Sequence, residues 1–165
     1  MDLTVGGQRL LCRQQVKYLG VTLDQRLTWN AHITDIANKG RQRLKICAPI
    51  FRSKELQTRS KTTLFKAFIQ SILLYACVAW GNASSTILNK LQIVQNLSLR
   101  KILRPPILTS NATIHQELHI PYLSHFIHRR STTTWARIRT HTNKLISQIG
   151  SGEPRHRKHK RIRVY

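Results

Sequence analysis

Side chains able to hold a polyanion crowd one stretch of this chain. Between Lys39 and Lys66 stand Lys39, Arg41, Arg43, Lys45, Arg52, Lys54, Arg59, Lys61 and Lys66, against Glu55 alone. Cations at that density suit phosphate, because each neutralised phosphate releases condensed counterions and so drives binding. A second basic run, from Arg155 to Arg163, lies near the end of the sequence and includes Arg157, Lys158, Lys160 and Arg161. Over 165 residues, 28 Lys and Arg face 6 Asp and Glu, for a formal net charge of +22. Such a balance favours a polyanionic partner. The bland alternative is a set of long basic stems that merely cover a core with their methylenes. With so few carboxylates to pair them, binding is the better reading.

Other chemistry is hard to find. His115 and His119 stand four apart, close to the His-Glu-x-x-His zinc pattern, but Glu117 sits one position late for a general base and no third ligand is evident. No phosphate-cradling glycine loop, nucleophile elbow or paired-carboxylate motif is present. So few acids, widely spread, disfavour two-metal chemistry, which needs clustered oxygen ligands. No cofactor and no metal are therefore expected, nor catalysis by this chain alone. Cys12, Cys47 and Cys77 are an odd number at wide spacings within apolar patterns, which suits reduced, buried thiols. No secretory signal is visible at Met1-Asp2-Leu3-Thr4. A nuclear or cytoplasmic location follows as an expectation, with no membrane partner.

The elements that would position these cations are mainly helical. Gly6-Gly7 marks a turn between Leu3–Val5 and Arg9–Leu11, and a further strand is expected from Gln15 to Leu23, with Leu19, Val21 and Leu23 on one face. From His32 the period changes to that of a helix: Ile33, Ile36, Ala37, Gly40, Leu44, Cys47 and Ile50 form the stripe, Thr28 or Asn30 caps its start, and Pro49 ends or bends it. Ser53 and Glu55 should open a long central helix over Thr62–Gly81. Its face of Leu64, Phe65, Phe68, Ile72, Tyr75, Ala76, Ala79 and Trp80 makes it the helix around which the rest packs. Lys66, Gln70 and Ser71 interrupt that stretch too often for a membrane span. A third helix is expected over Ser85–Leu103, stopped by Arg104-Pro105-Pro106. A short helix at Asn111–Leu118 and a longer one at Leu123–Ile149 follow, and then the tail.

Four segments carry a resemblance: Lys17-Tyr18-Leu19-Gly20-Val21-Thr22-Leu23-Asp24; Leu27-Thr28-Trp29 leading to His32-Ile33; Tyr75 with Trp80-Gly81; and Arg100-Lys101-Ile102 with Asn111–Ile120. In this order and spacing, over roughly residues 1 to 149, they resemble the region downstream of the palm in reverse transcriptases of non-LTR (LINE-type) retrotransposons, particularly the jockey-like group. The resemblance implies that Lys17–Leu23 is a primer-grip-like hairpin and that the helices from His32 to Leu103 are a thumb holding template–primer by its backbone. It also implies that the palm, with its Ala-Asp-Asp metal motif, lies upstream of Met1 and is absent here.

The expected fold is thus mainly α, a short N-terminal β-hairpin followed by a thumb-like helical bundle. Its expected divisions are a hairpin at 1–30, a bundle at 31–104, a helical extension at 107–149 and a basic disordered tail at 150–165. Trp29, Phe65, Phe68, Tyr75 and Trp80 should be mostly buried. Lys17, Tyr18, the cations from Lys39 to Lys61 and those of the tail form the expected nucleic-acid site, for RNA, DNA or their hybrid without sequence preference. The missing palm is a further expected partner. The rival is a structural protein, an element relic or host-adopted chain, whose basic face meets an acidic partner.

Overall fold

The computed structural model describes residues 13–149, together with the strand backbones at Thr4–Val5 and Gln8–Arg9. The fold is mainly α with a β-hairpin at its N-terminal side, as the patterning predicts. Strand β1 (Thr4–Val5) pairs antiparallel with β2 (Gln8–Arg9), and β3 (Gln15–Tyr18) with β4 (Val21–Asp24). The single strand that alternation suggests over Gln15–Leu23 is therefore a hairpin, as the resemblance implies for Lys17–Leu23. Its turn is Leu19-Gly20, both with positive φ (45° and 79°), the backbone that a two-residue hairpin loop requires. Gly20 signals this, whereas Leu19 conceals it. Leu19 lies in the turn, not on a strand face.

Helix α1 runs Asn30–Arg52 and passes through Pro49 for one more turn. Ile50 is exposed, and Phe51 takes the buried position instead. The expected caps contribute little: Thr28 Oγ1 accepts the Asn30 N–H only at 3.4 Å, and Asn30 Oδ1 accepts from Lys90. The entry is organised by Asp24. Its carboxylate accepts the N–H groups of Arg26 (3.2 Å), Thr28 (3.0 Å) and Trp29 (2.9 Å), as well as the Thr28 hydroxyl (3.1 Å). Those donors hold the Asp24 carboxyl below its usual range, the Thr28 N–H being the largest influence.

The central segment departs most from expectation. It comprises α2 (Thr58–Phe65), a π turn (Lys66–Gln70), α3 (Ser71–Leu73), a break in which Ala76 takes φ 50°, and α4 (Cys77–Trp80). Ser53 does not open it. That residue ends α1, and Gln57 stands before Thr58. A π turn holds one residue more than an α turn and so rotates everything beyond it. The buried face becomes Lys61, Phe65, Ile69, Leu73 and Cys77, a four-residue step, followed by Trp80. Phe68 and Tyr75, expected inside, are 49% and 53% exposed, while Trp29, Phe65 and Trp80 are buried.

Helix α5 spans Ser85–Leu103 as the sequence predicts and stops at Arg104, whose left-handed backbone precedes the two prolines. Helix α6 is Asn111–Glu117, capped by Ser110, whose hydroxyl accepts the Thr113 N–H at 3.1 Å. The last expected helix is two, α7 (Leu123–Arg139) and α8 (Lys144–Ile149). Asn143 separates them because its side chain accepts the Leu145 N–H at 2.9 Å and starts a new helix.

Three rods define the bundle. Lys90 on α5 reaches Asn30 and Thr34 on α1, and Arg104 reaches the Arg52 carbonyl, so these two helices run parallel. The central segment returns antiparallel: Lys61 meets Ser53 at one end and Trp80 meets His32 at the other. All three converge at Gly40, where a Cβ would lie 2.9 Å from Leu73 and 3.0 Å from Val94. Helix α7 closes the far side, with Ile127 against Gly81. One apolar cluster runs from Trp29 through to Ile127, so the core continues past Pro105-Pro106. No described helix is long and apolar enough to cross a membrane.

Candidate nucleic-acid interface

The cations of α1 do not form one surface. Successive helical residues turn by about 100°, which places Lys39 and Arg43 on one flank and Arg41, Lys45 and Arg52 on the other, about 160° away. Asn38, Gln42, Ile46 and Pro49, all exposed, form the ridge between the flanks. The first flank faces the hairpin and α3. There Lys17, His32, Asp35, Lys39, Ser71 and Tyr75 line a groove of about 400 Å³. Lys39 Nζ donates to Asp35 Oδ2 at 2.7 Å in an exposed pair. The second flank faces α5, which bears Lys90 and Lys101 on its adjoining side and no carboxylate anywhere, with Arg104 just past its end. The α5 cations escape a reading by density because they are spread along the chain. The apolar stripe of α5, correctly placed from sequence, would have put them on one flank.

The remaining candidates separate. Lys17 and Tyr18 are exposed on β3, and Lys54, Arg59 and Lys66 are exposed around the start of the central segment. Lys61 is withdrawn: it is buried, and its Nζ donates to the Ser53 carbonyl at 2.6 Å, tying α2 to the end of α1. Arg155, Arg157, Lys158, Lys160 and Arg161, with Cys12, lie outside the described residues. Cys47 and Cys77 are free and buried, and burial pushes both thiols up.

The histidine pair does not form a helical i,i+4 site. His115 is buried in α6, its Nδ1 2.6 Å from the Ile120 carbonyl and its Nε2 2.9 Å from Asn96 Oδ1, with its ring stacked on Tyr122. His119 lies past the helix end with φ 49°. No described group of three His, Cys, Asp or Glu side chains could hold a metal ion. His115 belongs to a polar network that the sequence did not disclose. Gln92 bonds Gln95 and Asn96, Gln95 Nε2 donates to the Pro121 carbonyl (3.0 Å), and the Leu123 N–H donates to Gln92 Oε1 (3.0 Å). Burial lowers the pKa of His115, as it does that of His32.

Of the four segments singled out in the sequence, the first three brace one another and the fourth is braced within itself. The Tyr75 hydroxyl donates to the Leu19 carbonyl in the hairpin turn at 2.9 Å, and Trp80 Nε1 donates to the Tyr75 carbonyl at 2.8 Å. The Thr22 N–H donates to His32 Nδ1 at 3.3 Å, which leaves the proton of the neutral ring on Nε2. Arg100 donates to Asn111 Oδ1 (3.1 Å) and to the Thr109 carbonyl (2.7 Å).

No family model matches the chain, and no solved structure does. Curated relatives do. The probable RNA-directed DNA polymerase of transposon X-element from Drosophila melanogaster is 30% identical over 146 residues, 88% of this chain and 16% of that protein. The RNA-directed DNA polymerase from mobile element jockey of the same fly is 28% identical over 167 residues, 98% of this chain and 18% of its own length. The probable polymerase of transposon BS is 29% identical over 141 residues, 85% and 16%. The chain spans less than a fifth of each relative's length. Matched this extensively along its own length, it belongs to the jockey-like family of non-LTR retrotransposon RNA-directed DNA polymerases, as a segment of such a protein.

Proposed function

We propose that this segment holds a nucleic-acid duplex, RNA–DNA hybrid included, by its phosphate backbone along the outer face of α1, with no catalysis of its own. The observation that carries it is the arrangement on α1: an exposed ridge of Asn38, Gln42 and Ile46 with cations on both flanks. A helix set ridge-first into a wide, shallow groove, such as the minor groove of an A-form duplex, meets a phosphate strand on each side. The relatives are named as RNA-directed DNA polymerases, whose work requires a template and a primer. Of the described acids, Asp24 is committed to the α1 entry and Asp35 to Lys39, which argues for assigning the chemistry elsewhere in such a polymerase. Releasing Lys39 from Asp35 costs little, since an exposed pair is worth about 1 kcal/mol or less.

Salt titration of duplex binding tests this. Five neutralising side chains (Lys39, Arg41, Arg43, Lys45 and Arg52) give a slope of log K against log salt of about −4 to −5. Lys39→Ala with Arg43→Ala, and separately Arg41→Ala with Lys45→Ala, should each flatten it by about two units. If one pair flattens the slope and the other leaves it unchanged, the two-flank reading fails. Equal affinity for polyglutamate would leave charge alone as the explanation, and with it the acidic-partner reading.

A further inference from the structure

The turn beyond α5 displays apolar side chains in an ordered way. Ile107 and Leu108 are 94% and 97% exposed. They occupy the tip of a turn closed by the Thr109 N–H donating to the Pro106 carbonyl at 3.1 Å. Two prolines lead into it, and proline fixes φ. On the exit side Arg100 holds the Thr109 carbonyl and Asn111 Oδ1. This is a braced projection, carrying two aliphatic side chains that stand almost fully exposed. Cations surround its base: Lys101 is exposed, and Arg104 reaches across to the Arg52 carbonyl at the end of α1.

We propose that the Ile107-Leu108 tip is a wedge that packs against an unstacked base step or terminal base pair of the nucleic acid, while Lys101, Arg104 and Arg52 hold the phosphates beside it. This rests on the duplex-binding reading and extends it to the bases. Charge complementarity favours this occupant, since neither α5 nor the loop that follows it, up to Asn111, contains a carboxylate. Size favours it too. A stable protein–protein interface buries about 800 Å² on each partner, far beyond two aliphatic side chains. A base-step wedge needs only one or two such side chains, flanked by cations on the backbone.

The test uses the full chain with a duplex carrying 2-aminopurine at a frayed junction and a second, continuous duplex. The variants are Ile107→Ser with Leu108→Ser, and Leu108→Trp. Both positions are exposed, so neither should disturb folding. The native chain should raise 2-aminopurine fluorescence and prefer the junction duplex on the order of tenfold, the scale of a stacking contact. The serine variant should lose both effects while keeping its affinity and salt slope on the continuous duplex; the tryptophan variant should keep the junction preference. Normal binding to both duplexes without a fluorescence change overturns the wedge alone. Failure to bind either duplex overturns the backbone-binding reading as well. Serine-sensitive binding to phosphatidylserine vesicles, with no fluorescence change, would make the tip a lipid contact and overturn the wedge.

Discussion

Gly40→Ala sets two calculable effects against each other. In an isolated helix the change would stabilise by about 1 kcal/mol, because alanine loses less backbone freedom than glycine. Here the new methyl would stand 2.9 Å from Leu73 Cδ2 and 3.0 Å from Val94 Cγ1, closer than carbon atoms sit at rest. Leu73 and Val94 are fully buried, one on α3 and the other on α5, so neither can swing away. Overpacking of this kind costs about 1–3 kcal/mol. The difference leaves the variant about 0–2 kcal/mol less stable than the native chain. Urea unfolding followed by tryptophan fluorescence and far-UV circular dichroism measures it. Val94→Ala in the Gly40→Ala background makes the space reasoning specific: the double variant should be more stable than additivity allows, by about 1 kcal/mol. A Gly40→Ala protein stabilised by the full helix-propensity increment, or a strictly additive cycle, would refute the close convergence of the three rods at Gly40.

Acidification should destabilise the fold well before carboxylates titrate. Burial lowers the folded-state pKa of His32 and His115 from 6.5, so below that pH the unfolded chain takes up protons that the folded one does not. Stability is full above pH 6.5 and falls as pH drops toward the folded values, by at most about 1.4 kcal/mol per unit for each ring. Urea midpoints between pH 7.5 and 5 would show it, and a flat profile would count against both burials. Asp24→Ala should lower Tm and loosen the entry of α1, because three backbone N–H groups and the Thr28 hydroxyl lose their acceptor together. Asp24→Asn should recover part of the loss; equal Tm for all three proteins would show the Asp24 contacts to be incidental.

Elements with one dominant local signal were legible in the sequence. Helix α5 has an uninterrupted stripe and a double-proline stop, and its bounds follow from those two facts alone. The resemblance points to the hairpin, but alternation conceals its turn, because a leucine occupies a left-handed position that glycine usually signals, and what supports it, Tyr75, is distant in sequence. The central segment misled for a related reason. An α-helical wheel drawn through Lys66–Gln70 omits the extra residue of the π turn, and so puts Phe68 and Tyr75 on the wrong side. Density of charge located the cations of α1 but not their division between two flanks, which needs only the helical repeat, nor the burial of Lys61, which needs the neighbouring Ser53 carbonyl.

The bracing among the family-like segments separates two kinds of inheritance. Thr22 with His32, Tyr75 with Leu19, Trp80 with the Tyr75 carbonyl and Arg100 with Asn111 are all internal contacts. A descendant that had lost every cation on the outer face of α1 would keep all of them, fold the same way and still be recognisable as kin. A descendant that kept those cations but lost Tyr75 or His32 would give up the bracing and keep the charge. Kinship read from these internal contacts therefore reports a retained shape, and the backbone grip proposed for the outer face of α1 is a separate property, to be measured copy by copy.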